Sequence, residues 1–211
     1  MIEKGKAWGK LVELTGDEPV ASSDAELAAL LGVERASELA ADSTRLGPVL
    51  LVGGDLHRSL GGIVGPSGRD PHPGPEPIAL PIDLVEVNAE GDQLWSVAHV
   101  VARRTWWSGE FAVAMNATNL GSWNLGPKAH PNDGLIDVTR GRLSLGDRWK
   151  ARRRAPSGTH VPHPALRTTR VRSDEWRFDR ELTVYVDGVA VCRSATVVLT
   201  VHPDSGLVVV A

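Results

Sequence analysis

The chain has 211 residues, 42% hydrophobic and 23% charged, with a formal charge of −3, a composition that suits a soluble globular protein able to bury a sizeable core. No apolar run approaches the roughly 20 residues of a membrane-spanning helix, and no amino-terminal stretch has the pattern of a secretory signal. The single cysteine, Cys192, excludes an internal disulfide and a cysteine-based zinc site, so a cytoplasmic setting is expected.

In chain order, Ser22 or Ser23 followed by Asp24 and Glu26 predicts a helix start, with Leu27, Leu30 and Leu31 on one face. GPVLLVGGD then reads as a short buried strand, and DLHRSLGG as a brief helix stopped by Gly61 and Gly62. From Gly65 to Pro77 five prolines mark an exposed linker. Beyond it the period changes to two. LPIDLVEVNAEGDQLWSVAHVVARR reads as two strands joined at a turn from Glu90 to Asp92, and EFAVAMNAT, LIDVTR, LTVYV, VAVCR, ATVVLTV and GLVVV follow as strands. SLGDRWKARRR, with Ser144 as its cap and Asp147 in its first turn, interrupts them as a helix. The expected fold class is α+β, mainly β. A small α/β lobe spans residues 1–66, a Pro/Gly-rich linker 67–77, and two antiparallel sheets packed face to face occupy 78–211.

Charge is unevenly spread. Between Arg140 and Arg180 twelve Lys or Arg stand against four Asp or Glu, a balance of +8, while the rest of the chain, with 11 basic and 22 acidic residues, stands at −11. One region is therefore suited to anions that the remainder would repel.

Four constellations could carry chemistry. In Pro131-Asn132-Asp133-Gly134 the Asp133 carboxylate beside turn carbonyls offers the oxygen ligands that Mg²⁺ prefers, although Asn-Asp-Gly is also ordinary turn chemistry. Asp187-Gly188 between alternating hydrophobics is a hairpin signal, and Asp187 could accept a substrate proton only if it lay at a strand end facing a cleft. Gly53-Gly54-Asp55 is either a plain strand-to-helix corner or a place where backbone N–H groups cradle phosphate. The basic helix with Arg148, Lys150, Arg152, Arg153 and Arg154 is either a solvated face or an anion-binding strip. The seven tryptophans read mostly as core, while Trp106 and Trp107 before Gly109 could line an apolar groove.

Taken together these segments resemble the diacylglycerol kinase and sphingosine kinase family of lipid kinases, from about Val49 to the end of the chain. VLLVGGDLHRSLGG is similar to the family's Gly-Thr-Gly-Asn-Asp-Phe-Ala-Arg segment. MNATNLGSWNLGPKAHPNDGLIDV matches its Asn, Gly, Pro, Ala and Asp-Gly-Leu-Leu-Asp progression through Asn116, Gly121, Pro127, Ala129, Asp133, Gly134, Leu135 and Asp137. VDGVAV stands where the family has Asp-Gly-Glu. The resemblance implies a truncated α/β lobe on a β-sandwich of the lipid-kinase and NAD-kinase type. It further implies a structural Mg²⁺ held by Asp133 and the Leu135 carbonyl, and Asp187 as general base for a lipid hydroxyl. Gly53, Gly54, Asp55, Asn116, Arg148 and Arg152 would then contact the ligand. The family's Gly-Gly-Asp-Gly-Thr loop finds no counterpart in the sequence, which puts ATP in doubt as phosphate donor.

The leading functional expectation is a divergent lipid-kinase-like protein binding a phosphorylated or lipid-like ligand in an interlobe cleft, with phosphotransfer to a lipid hydroxyl as its chemistry. The alternative is a non-catalytic module that docks on anionic membrane or a protein partner through its basic strip. Nucleic acid is not expected as a partner, because the overall charge is negative and no recognition motif is present. A second copy could cover an exposed edge of the lobe as a homodimer.

Overall fold

Two short apolar runs, each followed by a helix, open the fold, and period-two strands complete it. The computed structural model describes residues 8–39, 47–62, 76–161 and 163–210, so most of the linker expected over 67–77 lies outside the described residues. The first part runs β1 (Lys10–Leu11), β2 (Val20–Ala21), α1 (Asp24–Leu39), β3 (Val49–Leu51) and α2 (Gly54–Ser59). The second runs β4 (Ile78–Ala89), β5 (Asp92–Ser96), β6 (His99–Arg103), β7 (Glu110–Met115), β8 (Asn119–Leu120), β9 (Trp123–Asn124) and β10 (Ile136–Arg142). It ends with α3 (Leu145–Arg154), a 3-10 turn (Ala155–Ser157), β11 (Leu166–Val171), β12 (Ser173–Val186) and β13 (Val189–Val210).

Local chemistry accounts for the element ends. Ser23 Oγ accepts the Glu26 N–H at 3.2 Å, and the Glu26 carboxylate accepts the Ser22 N–H and O–H at 2.8 and 2.7 Å, which satisfies amides that the start of α1 leaves free. Ser144 Oγ accepts the Asp147 N–H and caps α3 in the same way. The β4–β5 and β12–β13 hairpins turn through Glu90-Gly91 and Asp187-Gly188, each pair with positive φ as tight hairpin turns require.

Eleven strands join one hydrogen-bonded sheet along the path β1-β4-β13-β12-β6-β7-β10-β11, with β5 on β4, β3 on β13 and β2 on β3. The 22-residue β13 is its spine. It pairs with β12 by its first part, with β4 by its second, and in parallel with β3 at Val208↔Val49 and Val209↔Leu50. The expected strands VAVCR, ATVVLTV and GLVVV are thus three parts of one strand, with its register on β4 shifted between His202 and Gly206. The two faces expected to pack are arms of this single sheet. Val87 and Leu199 from one arm share a fully buried core with Ala102, Ala112 and Ile136 from the other, so the sheet must curl over itself. Alternation puts Val85, Val87 and Ala89 of β4, Val100 and Ala102 of β6, Ala112 and Ala114 of β7, and Ile136 and Val138 of β10 into that core.

Two smaller cores place the site. Leu27 and Leu31 of α1 and Leu56 of α2 are buried against β3, β4 and the end of β13. On the outer face of β6 and β7, Val101, Val113 and Met115 lie under Trp106, Leu120, Leu125 and Ala129. The segment from Asn116 onward is thereby pressed onto the sheet.

Trp176 is fully buried in the main core, with its indole N–H donating to Asp174 Oδ2 at 3.1 Å. Trp176→Ala is expected to lower the unfolding free energy by about 3–5 kcal/mol in urea denaturation. Trp149→Ala, at an exposed position, should change it by less than about 1 kcal/mol.

Candidate functional site

Because β2 and β3 are parallel neighbours, the corners that follow them lie side by side. The first carries Ser22, Ser23 and Asp24, the second Gly53, Gly54 and Asp55. The Asp24 carboxylate crosses between them and accepts the Asp55 N–H at 2.7 Å and the Leu56 N–H at 3.0 Å. The glycines permit this approach. A Cβ on Gly53 would collide with the Ser22 carbonyl, one on Gly54 would collide with Asp24 Oδ1, and Gly54 has φ +98°. The amides that a phosphate-binding corner would offer through Asp55 and Leu56 are therefore engaged by a carboxylate of the chain itself.

Asp55 continues the network. Its Oδ2 accepts the Gly121 N–H at 2.8 Å and lies 3.2 Å from His99 Nε2, while Arg58 stands 3.8 Å from Oδ1 and donates to the Gly121 carbonyl. One ligating atom from each of Asp24, Asp55 and His99 falls within 4.8 Å of the others, a geometry that can hold a metal ion. Two carboxylates and an imidazole form a donor set compatible with Zn²⁺, Mn²⁺ or Fe²⁺. Asp24 and His99 are buried.

The electrostatics fit a cation. Burial raises the Asp24 pKa to about 6, and the nearby Asp187 charge adds to this against the opposing pull of its two amide bonds. His99 moves up although burial pulls it down, because its hydrogen bond to Asp55 and the charges of Asp187, Asp55 and Asp24 outweigh burial. Asp55 moves down although burial pushes it up, through His99 and the Gly121 amide. Three carboxylates thus surround one imidazole, and Asp24 and His99 hold their protons to higher pH than usual, Asp24 chiefly through burial and His99 through the neighbouring carboxylates.

Asp187 organises this cluster through the backbone that carries His99. Its carboxylate accepts the Ser96 hydroxyl at 2.9 Å and the N–H groups of Val97, Ala98 and His99 at 2.9, 3.0 and 2.9 Å, and its own N–H donates to the His99 carbonyl at 3.0 Å. The hairpin turn therefore fixes the backbone that presents His99. Asn116 grips the Val97-Ala98 turn that Asp187 holds. Its Nδ2 donates to the carbonyls of Val97 at 2.8 Å and Asp83 at 3.1 Å, and its N–H donates to the Ala98 carbonyl at 2.8 Å.

Asp133 has other partners. Its Oδ1 accepts the Leu135 N–H at 3.0 Å and its Oδ2 is paired with Arg170, whose Nε lies 2.8 Å from Asp137 Oδ1. Asp83 holds the adjoining backbone by accepting the Gly134 and Asp204 N–H groups at 2.6 and 3.0 Å. With one oxygen bonded to an amide and the other to a guanidinium, Asp133 does not fit the Mg²⁺ that the resemblance implied there. An internal arginine supplies the positive charge.

The basic helix divides by face. Arg148 is buried, donating to the carbonyls of Leu143 at 3.1 Å, Trp106 at 3.0 Å and Gly109, so it anchors α3 to the sheet. Arg152 lies over Trp107 and Trp123 at 5.3 and 5.1 Å. Beneath α3 is an almost wholly apolar cavity of about 90 Å³, lined by Trp106, Phe111, Trp123, Leu125, Arg152 and His160 among others. The β8–β9 hairpin joins it to the carboxylate cluster: the Gly121 amide binds Asp55, and two residues on Trp123 forms part of the cavity wall. Trp106 and Trp107 do line an apolar groove, whereas Trp107 and Trp149 are exposed and not core.

Sequence reasoning missed Asp24 and His99 as site residues. Asp24 carried one signal: an apolar pair followed by two small residues and an aspartate that opens a helix, the same pattern as at Asp55. His99, inside an alternating strand, carried none.

Among solved structures the chain is similar to two of a candidate diacylglycerol kinase from Bacillus anthracis str. Sterne. They have TM-scores of 0.60 with 10% and 9% identity, covering 85% and 90% of this chain and 74% and 76% of theirs. A further structure of a diacylglycerol kinase from the same organism aligns at TM-score 0.55 and 10% identity, over 81% of this chain and 70% of that one. No protein-family model and no curated protein matches the chain. The protein has a diacylglycerol-kinase-like fold. Among the described residues no helix is long and apolar enough to cross a membrane.

The raised Asp24 pKa fixes a pH trend. Between its ordinary value and about 6 the folded chain holds a proton that the unfolded chain has released, so stability falls as pH rises through that window. His99, also raised, loses its stabilising contribution as pH rises above its ordinary value, in the same direction. In chelator-treated buffer the Asp24 contribution between pH 4 and 6 is on the order of 3 kcal/mol, and Asp24→Asn is expected to flatten that part of the melting profile. Arg170→Gln should destabilise the protein by about 1–2 kcal/mol at neutral pH in urea denaturation, because Asp133 and the mostly buried Asp137 then face each other uncompensated. The loss should shrink in acid, since burial already raises the Asp137 pKa.

Proposed function

We propose that the protein is a divergent lipid-kinase-like protein that binds a divalent cation between Asp24, Asp55 and His99, and a phosphorylated or lipid-like ligand beside it. The polar end of the ligand meets the cluster and its apolar end enters the cavity under α3. The observation that carries this reading is the β8–β9 hairpin, which touches Asp55 through Gly121 and walls the cavity through Trp123. The fold shared with diacylglycerol kinases of Bacillus anthracis supports a lipid hydroxyl or phosphate as the polar end. A bound cation would neutralise phosphate charge. Asp187 acts as a positioning residue for His99, Arg58 stands at the rim as a phosphate partner, and Asn116 keeps the turn closed.

One observation favours the non-catalytic alternative. The α2 amides and the Asp187 carboxylate are already paired within the chain, so groups that a nucleotide or an acceptor hydroxyl would need are occupied.

Calorimetric titration with Mn²⁺, followed by diacylglycerol or phosphatidic acid in mixed micelles, tests both readings. Mn²⁺ is expected to bind the wild type, at least about tenfold more weakly to Asp55→Asn, and to raise the melting temperature. Lipid binding weakened by Trp123→Ala would support the cavity assignment. Equal Mn²⁺ binding by Asp55→Asn would remove the metal site. Lipid binding without ATP-dependent turnover would select the binding module over the kinase.

A further inference from the structure

We propose that the outer face of α3 is a docking surface for an anionic phospholipid membrane. Leu145, Trp149, Arg152 and Arg153 recur at the spacing of one helix face. Leu145 is 68% exposed, Trp149 54%, and Trp107, next to this face, 48%. Exposed apolar side chains of that size, grouped together, mark an interaction site more often than isolated ones do. The opposite face is already committed, with Arg148 buried on main-chain carbonyls and Ala151 and Ala155 toward the cavity. The helix is thus anchored inside and unpartnered outside among the described residues.

Charge complementarity names the occupant. Lys150, Arg152, Arg153 and Arg154 crowd the last turns, and the single acid of α3, Asp147, is paired with Ser144 and Lys150. Arg153 stacks over Trp149 at 4.8 Å and Arg152 over Trp107 at 5.3 Å, so each exposed indole carries a guanidinium on its face. Indoles beside cations suit the headgroup layer, where the ring sits at the acyl boundary and the guanidinium meets lipid phosphate. An acidic protein surface would use the cations but give no reason for the unprotected Leu145 and Trp149. Docking in this pose would bring the cavity walled by Trp107 and Arg152 to the membrane surface, and it requires nothing of the Asp24, Asp55 and His99 cluster.

Co-sedimentation of the full chain with mixed phosphatidylglycerol and phosphatidylcholine vesicles, and with phosphatidylcholine alone, tests the proposal. Binding is expected to the mixed vesicles, with a blue shift of tryptophan emission, and should fall about tenfold or more at high salt. Arg153→Gln with Arg154→Gln should weaken it by about tenfold or more, and Leu145→Ser with Trp149→Ser should abolish the blue shift. Circular dichroism and melting of these surface variants should match the wild type, which separates lost docking from lost folding. Absence of binding to mixed vesicles at low salt, equal binding to phosphatidylcholine alone, or unchanged binding by the variants would overturn the proposal. So would a preference for nucleic acid or an acidic polypeptide over vesicles.

Discussion

Backbone amides hold three carboxylates around one imidazole, and the rest of the site follows from that crowding. Asp24 is held by the first amides of α2, Asp55 by Gly121, and Asp187 by the turn that carries Val97, Ala98 and His99. Secondary structure therefore fixes each negative group, and none can move away to relieve repulsion. Burial, reinforced by the Asp187 charge, raises the Asp24 pKa to about 6, and the surrounding carboxylates raise His99 against the pull of its own burial. Such a site gains most from an external cation, because binding removes repulsion that folding has imposed. The same constraint explains the two glycines: any larger residue would force the corners apart and release Asp24 from α2.

The arginines show how position, more than type, decides the role of a charge. Arg148 and Arg152 are one turn apart in α3, yet one is buried on three carbonyls and the other lies over two indoles. Arg170 is far from both in function, bridging Asp133 and Asp137 where a metal was implied. That guanidinium is supplied by the fold itself and pairs with both carboxylates of the turn. Among the described residues, the side chains whose geometry can hold a metal ion, Asp24, Asp55 and His99, lie at the other corner.

Identity near 10% to the aligned diacylglycerol kinase structures is compatible with a retained fold because the sheet asks only for alternation and volume. Val87, Val100, Ala114, Val138 and Leu199 meet that demand with generic apolar side chains. The site demands particular atoms at particular distances, so it can diverge while the scaffold persists.

Local patterns in the sequence determined the hairpins at Glu90-Gly91 and Asp187-Gly188, the Ser144 cap, the α1 start and the period-two strands, because those depend on neighbours within a few residues. It did not reveal β11 or the first half of β12. Leu166–Val171 and the residues after Ser173 are mostly polar and exposed, and only pairing with β10 and β13 makes them strands. The curl of one sheet into two packed arms was likewise invisible, since strand order is a long-range property. The choice of site residues was tertiary throughout. Asp24 and Asp55 are 31 residues apart and Asp55 and His99 are 44 apart, and no local propensity links them. Hydrogen bonding between parallel strands brings the two corners together, and the Asp187 turn then delivers the imidazole, so the chemistry belongs to contacts that form only when the whole sheet has closed.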